Sequence, residues 1–217
     1  MIKNKVNKKE YFIHGEILLL INDPLPDSIN VINVKKKLEK NIHKKLFNNL
    51  DYIYIGQFPE LKARQVQSAY LRGAIFISNE EQSEESLYAG IVHELAHSIE
   101  ETFREEIYGD DLVATEFISK RKKLRTILKQ EDLIYPDSVA FIRTEYSPDF
   151  DKFFYETVGY DRLNQLIVNI FMSPYAVTSL REYFANGFEH FYLFDREYLR
   201  KVSPKLYSKI SMLTKQK

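Results

Sequence analysis

The chain contains no cysteine in 217 residues. That excludes disulfides and thiolate-held metal, and it suits a reducing compartment. Long apolar runs are missing too: the nearest is Ile17-Leu18-Leu19-Leu20-Ile21, interrupted upstream by Gly15 and Glu16. Such a run is too short for a signal-peptide core or a membrane span. The expectation is a cytoplasmic protein that does not engage a membrane, or a secreted one if the numbering is that of a mature form. Neither sign of charge is in excess, with 31 Lys and Arg against 31 Asp and Glu. The lysines at 35–37 and 44–45 and the run Lys120-Arg121-Lys122-Lys123-Leu124-Arg125 therefore read as solvated helix faces, and no nucleic-acid partner is expected. Internal repeats and low-complexity stretches are absent as well.

What is present suits a globular domain. A content of 44% hydrophobic and 14% aromatic residues can fill one full core, or one large and one small lobe. The patterning predicts a strand over residues 10–21, a turn at Asp23-Pro24-Leu25-Pro26-Asp27 and a helix over 28–47 with Leu38, Ile42 and Leu46 on one face. Strands follow at Tyr52–Ile55 and at Gly73–Ser78, and a helix at 111–129 turns Leu112, Phe117, Leu124 and Leu128 inward. Pro136, Pro148 and Gly159 break residues 130–172 into short pieces, whose aromatic cluster Phe150, Phe153, Phe154 and Tyr155 reads as core. The predicted class is α+β, a single domain over 1–217 with an N-terminal lobe at 1–110 and a mostly helical part at 111–217.

Only five histidines occur, and two of them form His93-Glu94-Leu95-Ala96-His97. On a helix, residues four apart lie one above the other, so both imidazoles can reach one ion with the Glu94 carboxylate beside them. The context is helical: Leu87, Ile91, Val92, Leu95, Ile99 and Phe103 form one apolar stripe, from which His93 and His97 fall away. Ser83 is a candidate N-cap, and Glu84 and Glu85 complement the helix dipole, so the helix is expected to run to about Tyr108 before Gly109-Asp110.

A catalytic zinc takes three protein ligands and keeps a fourth position open. The pattern with a third histidine six residues after the second fails, because Phe103 stands there and Glu100 replaces the turning glycine. His14 and His43 lie in segments that suit satisfied or solvated imidazoles. A better donor is Glu182, in the first turn of a helix capped by Thr178 or Ser179, with Tyr183, Phe184, Phe188 and Phe191 as its apolar face. Glu189 and His190 are rivals two turns further on.

The pair of segments His93-Glu94-Leu95-Ala96-His97 and Glu182-Tyr183-Phe184-Ala185 resembles the catalytic domain of anthrax lethal factor and the bacterial Pro-Pro endopeptidases. Val202-Ser203-Pro204-Lys205-Leu206-Tyr207 has a further likeness to that family. The resemblance implies a zincin-like fold and a zinc-dependent metalloendopeptidase acting on a peptide or protein. It also implies that His93, His97 and Glu182 hold Zn²⁺, that Glu94 is the general base, and that Tyr175, seven residues before Glu182, points into the site. The family segment usually closes with a second glutamate, where this chain has Asn186, so a carboxylate that would support a ligand is missing. In such folds the strand before the motif helix forms an edge suited to an extended peptide, which places that edge at 73–78. A non-catalytic module on the same scaffold is the competing expectation. A structural metal site is disfavoured, since such sites usually fill four positions with Cys or His.

Overall fold

In the computed structural model, residues 9–215 are described, and along the chain they divide into two compact units, the first ending at Thr102 and the second beginning at Phe103. The expected lobe boundary at 110 therefore shifts to the end of the motif helix. The class is α+β with one small mixed sheet.

The first unit begins with β1 (Lys9–Ile13) and β2 (Ile17–Ile21), an antiparallel pair where one strand over 10–21 was expected. Its turn needs left-handed backbone, supplied by His14 (φ 52°) and Gly15 (φ 78°); glycine takes this conformation without a Cβ clash. Then come α1 (Val31–Asn41), a 3₁₀ turn (Lys44–Phe47), β3 (Tyr52–Gly56), α2 (Pro59–Ala63), β4 (Ser68–Leu71), β5 (Ala74–Ser78) and α3 (Glu84–Thr102). The helix expected over 28–47 thus breaks at Ile42, where the backbone turns extended.

Strand order is β1-β2-β3-β5-β4, with β2, β3 and β5 parallel and both outer pairs antiparallel. This corrects the expected edge: β5 lies inside the sheet, and β4 borders it. The reason is the tight turn at Arg72 (φ 48°) and Gly73 (φ 80°), which folds β4 back onto β5 as a hairpin. Alternation sends Ile17, Leu19, Ile53, Ile55, Ile75 and Ile77 to one buried face. Each such side chain contributes about 1.5–3 kcal/mol by leaving water. Helices α1 and α3 pack together, touching β1 and β4–β5 respectively. Their starts are joined by Glu84, which accepts from the Asn30 amide (3.0 Å) and from Asn33 Nδ2 (3.1 Å).

The second unit is helical among its described residues: α4 (Arg104–Tyr108), α5 (Leu112–Gln130), α6 (Pro148–Lys152), α7 (Tyr160–Leu166), α8 (Leu180–Leu193), α9 (Arg196–Val202) and α10 (Pro204–Lys215). Helix α6 runs on into a π turn at Phe153–Val158. Phe150, Phe153 and Phe154 are core, as expected, whereas Tyr155 of the same cluster is 66% exposed. Helix α8 is held from two sides. Tyr183 donates to Glu116 of α5 (2.8 Å), and Glu116 also accepts from the Lys205 and Leu206 amides that open α10. At Gly187 helix α10 comes so close that an added Cβ would strike the Leu206 side chain. No helix among the described residues is long and apolar enough to cross a membrane.

Candidate metal centre

The motif helix α3 starts where the serines dictate. Ser83 Oγ accepts from the Ser86 amide (3.0 Å), which satisfies one of the N–H groups a helix leaves open at its start. It ends at Thr102, nearly two turns short of the expected Tyr108; Phe103 leaves helical geometry (φ −111°, ψ 30°) before α4 begins. Helix α3 is also buried more completely than one apolar stripe implies. His97 is only 6% exposed and Glu94 5%, so His97 is not off the buried surface. His93 is half-buried.

Polar side chains buried this deeply need partners. The two imidazoles stand one turn apart with ring centroids 5.1 Å from each other and planes at 86°. Glu100, itself buried, places Oε2 3.8 Å from His97 Nδ1. Glu94 Oε1 accepts a 2.7 Å hydrogen bond from Ser68 Oγ of β4. Neither Ser68 nor Glu100 was a candidate from sequence. Glu100 could have been found, because residues three apart on a helix are neighbours. Ser68 is 26 residues from Glu94 and carries no local signal.

Glu182 is positioned by its own helix start. Of the two capping candidates the structure uses Ser179, whose Oγ accepts from the Glu182 amide (3.1 Å), while Thr178 Oγ donates to the Tyr175 carbonyl (2.9 Å). His93, His97 and Glu182 each offer a ligand atom within 4.8 Å of the others'. Two imidazoles, one carboxylate and no thiolate are a donor set that fits zinc with a position left open. Glu189 and His190 do not join the group. Burial lowers the His190 pKa, and its buried Nδ1 has no hydrogen-bond partner among the described residues.

The remaining candidates are accounted for locally. His14 Nε2 lies 3.2 Å from the Ile42 carbonyl with its ring edge-on to Phe47, and His43 Nδ1 accepts from the Lys45 amide. Tyr175 opens the 3₁₀ turn Tyr175–Val177 and is 37% exposed. Asn186 is buried and accepts from Ser173 Oγ, which in turn accepts from the Ala176 amide. Its carboxamide thus braces the loop that carries Tyr175. No protein-family model, curated protein or solved structure matches this chain.

Proposed function

We propose that this protein is a zinc-dependent metalloendopeptidase with a zincin-like fold, in which His93, His97 and Glu182 hold the ion. The observation that carries this reading is the grouping of those three side chains, with Glu94 next to His93 on the same helix. Zinc, when bound, polarises the scissile carbonyl and lowers the pKa of the attacking water. The protein supplies the rest. Glu94 takes a proton from that water as the C–O bond forms, then hands it to the amide nitrogen as the C–N bond breaks. The Tyr175 hydroxyl donates to the oxyanion that develops on the carbonyl oxygen. With β4 at the sheet border, its outward backbone groups are the expected place for an extended peptide to pair.

The test combines zinc analysis with a peptide-library cleavage screen, with and without a chelator. The expected result is about one zinc per chain and chelator-sensitive cleavage, with Glu94→Gln keeping the metal and losing nearly all turnover. A zinc content near zero after reconstitution, or a Glu94→Gln variant as active as the parent, overturns the reading.

A further inference from the structure

Glu94 is 5% exposed, and the hydrogen bond from Ser68 Oγ is the one it makes among the described residues. The donor sits at the start of β4, which among the described residues pairs with β5 alone. We infer that Ser68 is a positioning residue for Glu94, fixing the carboxylate of the general base from the border strand; this rests on the metalloendopeptidase reading.

Three observations build the inference. The first is alternation: Ser68 and Tyr70 are two residues apart on one strand and so point to the same side. That side faces α3, because Tyr70 donates to Glu101 Oε2 (2.6 Å) as Ser68 does to Glu94. The second is rigidity of the donor. Ser68 pairs with Ile77, the Ser78 amide donates to the Gln67 carbonyl (2.8 Å), and Tyr70 Oη accepts from the Gly73 amide (3.1 Å), so the strand is fixed on both sides of the serine. The third is the softness of what it holds. The last torsion of a glutamate is broad and nearly two-fold, so a lone carboxylate rolls freely. A hydroxyl donating to Oε1 stops that roll and engages one oxygen, leaving Oε2 for the proton. Misplacing a reacting group by about 1 Å can cost about 10²-fold in rate, so the hydrogen bond acts on turnover more than on binding.

The strand does not need Ser68 to stay on the helix, since Tyr70 already ties it to Glu101. This separates positioning from mere strand anchoring. Ser68→Ala is expected to lower kcat about 10-fold, in the range typical of lost support around a functional ligand, with KM and zinc content unchanged. Ser68→Thr, which keeps the hydroxyl on a strand-compatible side chain, restores kcat. Glu101→Ala, which removes the other tie of the same strand, leaves kcat within about 2-fold of the parent. A second readout needs neither metal nor substrate: in metal-free protein carrying ¹³C at glutamate carboxyls, the resonance absent from Glu94→Gln shifts in Ser68→Ala and returns in Ser68→Thr. In an active parent, an unchanged kcat in Ser68→Ala, an equal loss in Glu101→Ala, or a Glu94 resonance that does not move overturns the inference and leaves the metalloendopeptidase reading standing. A parent that cleaves no peptide overturns the reading, and this inference with it.

Discussion

Glu182 shares α8 with two other side chains that can bind metal, Glu189 and His190, and what distinguishes it is its place in the first turn. Its amide is engaged by Ser179, so its Cα is fixed while its carboxylate groups with His93 and His97. Glu182→Gln should therefore lose zinc, because a carboxamide is a weak ligand, whereas Glu189→Gln and His190→Ala should keep it. Metal analysis of the three variants checks this, and retention by Glu182→Gln with loss in either of the others would reassign the third ligand. Tyr175→Phe should retain zinc and lose about 10²–10³ in kcat, the usual effect of removing one oxyanion donor; an unaffected kcat would return Tyr175 to a packing role. At this scale the sequence was most legible where chemistry demands fixed spacing. Helical period puts His93, Glu94 and His97 on one turn of helix, and a cap with an acidic first turn places Glu182 at the start of its own helix, but only the family resemblance prefers it to Glu189 and His190. Ser68 was hidden because its partner is distant along the chain. Asn186 lacks the carboxylate of the resembled family but still accepts a hydrogen bond, from Ser173 Oγ, and so braces the Ser173–Ala176 loop.

Elements were legible where one period ran unbroken. Helix α5 at Leu112–Gln130 matches the bounds expected at 111–129, with Phe117, Leu124 and Leu128 inward as expected but Leu112 exposed, and Tyr52–Gly56 and Ala74–Ser78 fall where β-branched alternation put them. Boundaries set by single residues were not legible. The break at Phe103 leaves no mark in an apolar stripe that includes Phe103 itself, and the His14-Gly15 turn is hidden within a run that otherwise alternates. The placement of β5 inside the sheet depends on β4, a four-residue strand with too little period to be seen. One element boundary bears directly on the proposed metal site. Because Ser179 caps α8 through the amide of Glu182 itself, loss of the cap should loosen the ligand as well as the helix. Ser179→Ala is expected to cost about 1 kcal/mol in urea unfolding and to weaken zinc affinity in a chelator competition, while Ser179→Asp, another good cap, preserves both. Equal zinc affinity in Ser179→Ala despite lower stability would show that Glu182 is held by other means.

At the scale of the molecule, the second unit is organised around a buried cation. Lys120 is 9% exposed and donates to the Ile170 carbonyl (2.7 Å) and Ser203 Oγ (2.6 Å), with the rings of Phe171 and Tyr183 at 5.5 and 5.0 Å. It thereby joins α5, the loop after α7, α8 and the segment between α9 and α10. Burial pushes its pKa down from 10.5 to about 8, partly opposed by the negative charge of Glu116 and reinforced by Lys123. The sign of the consequence follows from proton counting. Between about 8 and 10.5 the unfolded chain holds a proton on this lysine that the folded chain has released, so stability rises with pH across that window. Below it both states are protonated, and the cost of burying the charge is constant. Above about pH 10 the unfolded tyrosines ionise while Tyr183, held neutral chiefly by burial, does not, and that opposes the rise. The measurement therefore belongs between pH 7.5 and 9.5, as urea unfolding of the parent against Lys120→Met. The methionine variant has no charge to release, so the parent should gain on it by about 2 kcal/mol across that range, whatever the absolute stability of either. Parallel pH profiles would mean that Lys120 stays protonated in the fold. Its hydrogen bonds to Ile170 and Ser203 and its two aromatic neighbours would then outweigh the cost of removing the charge from water.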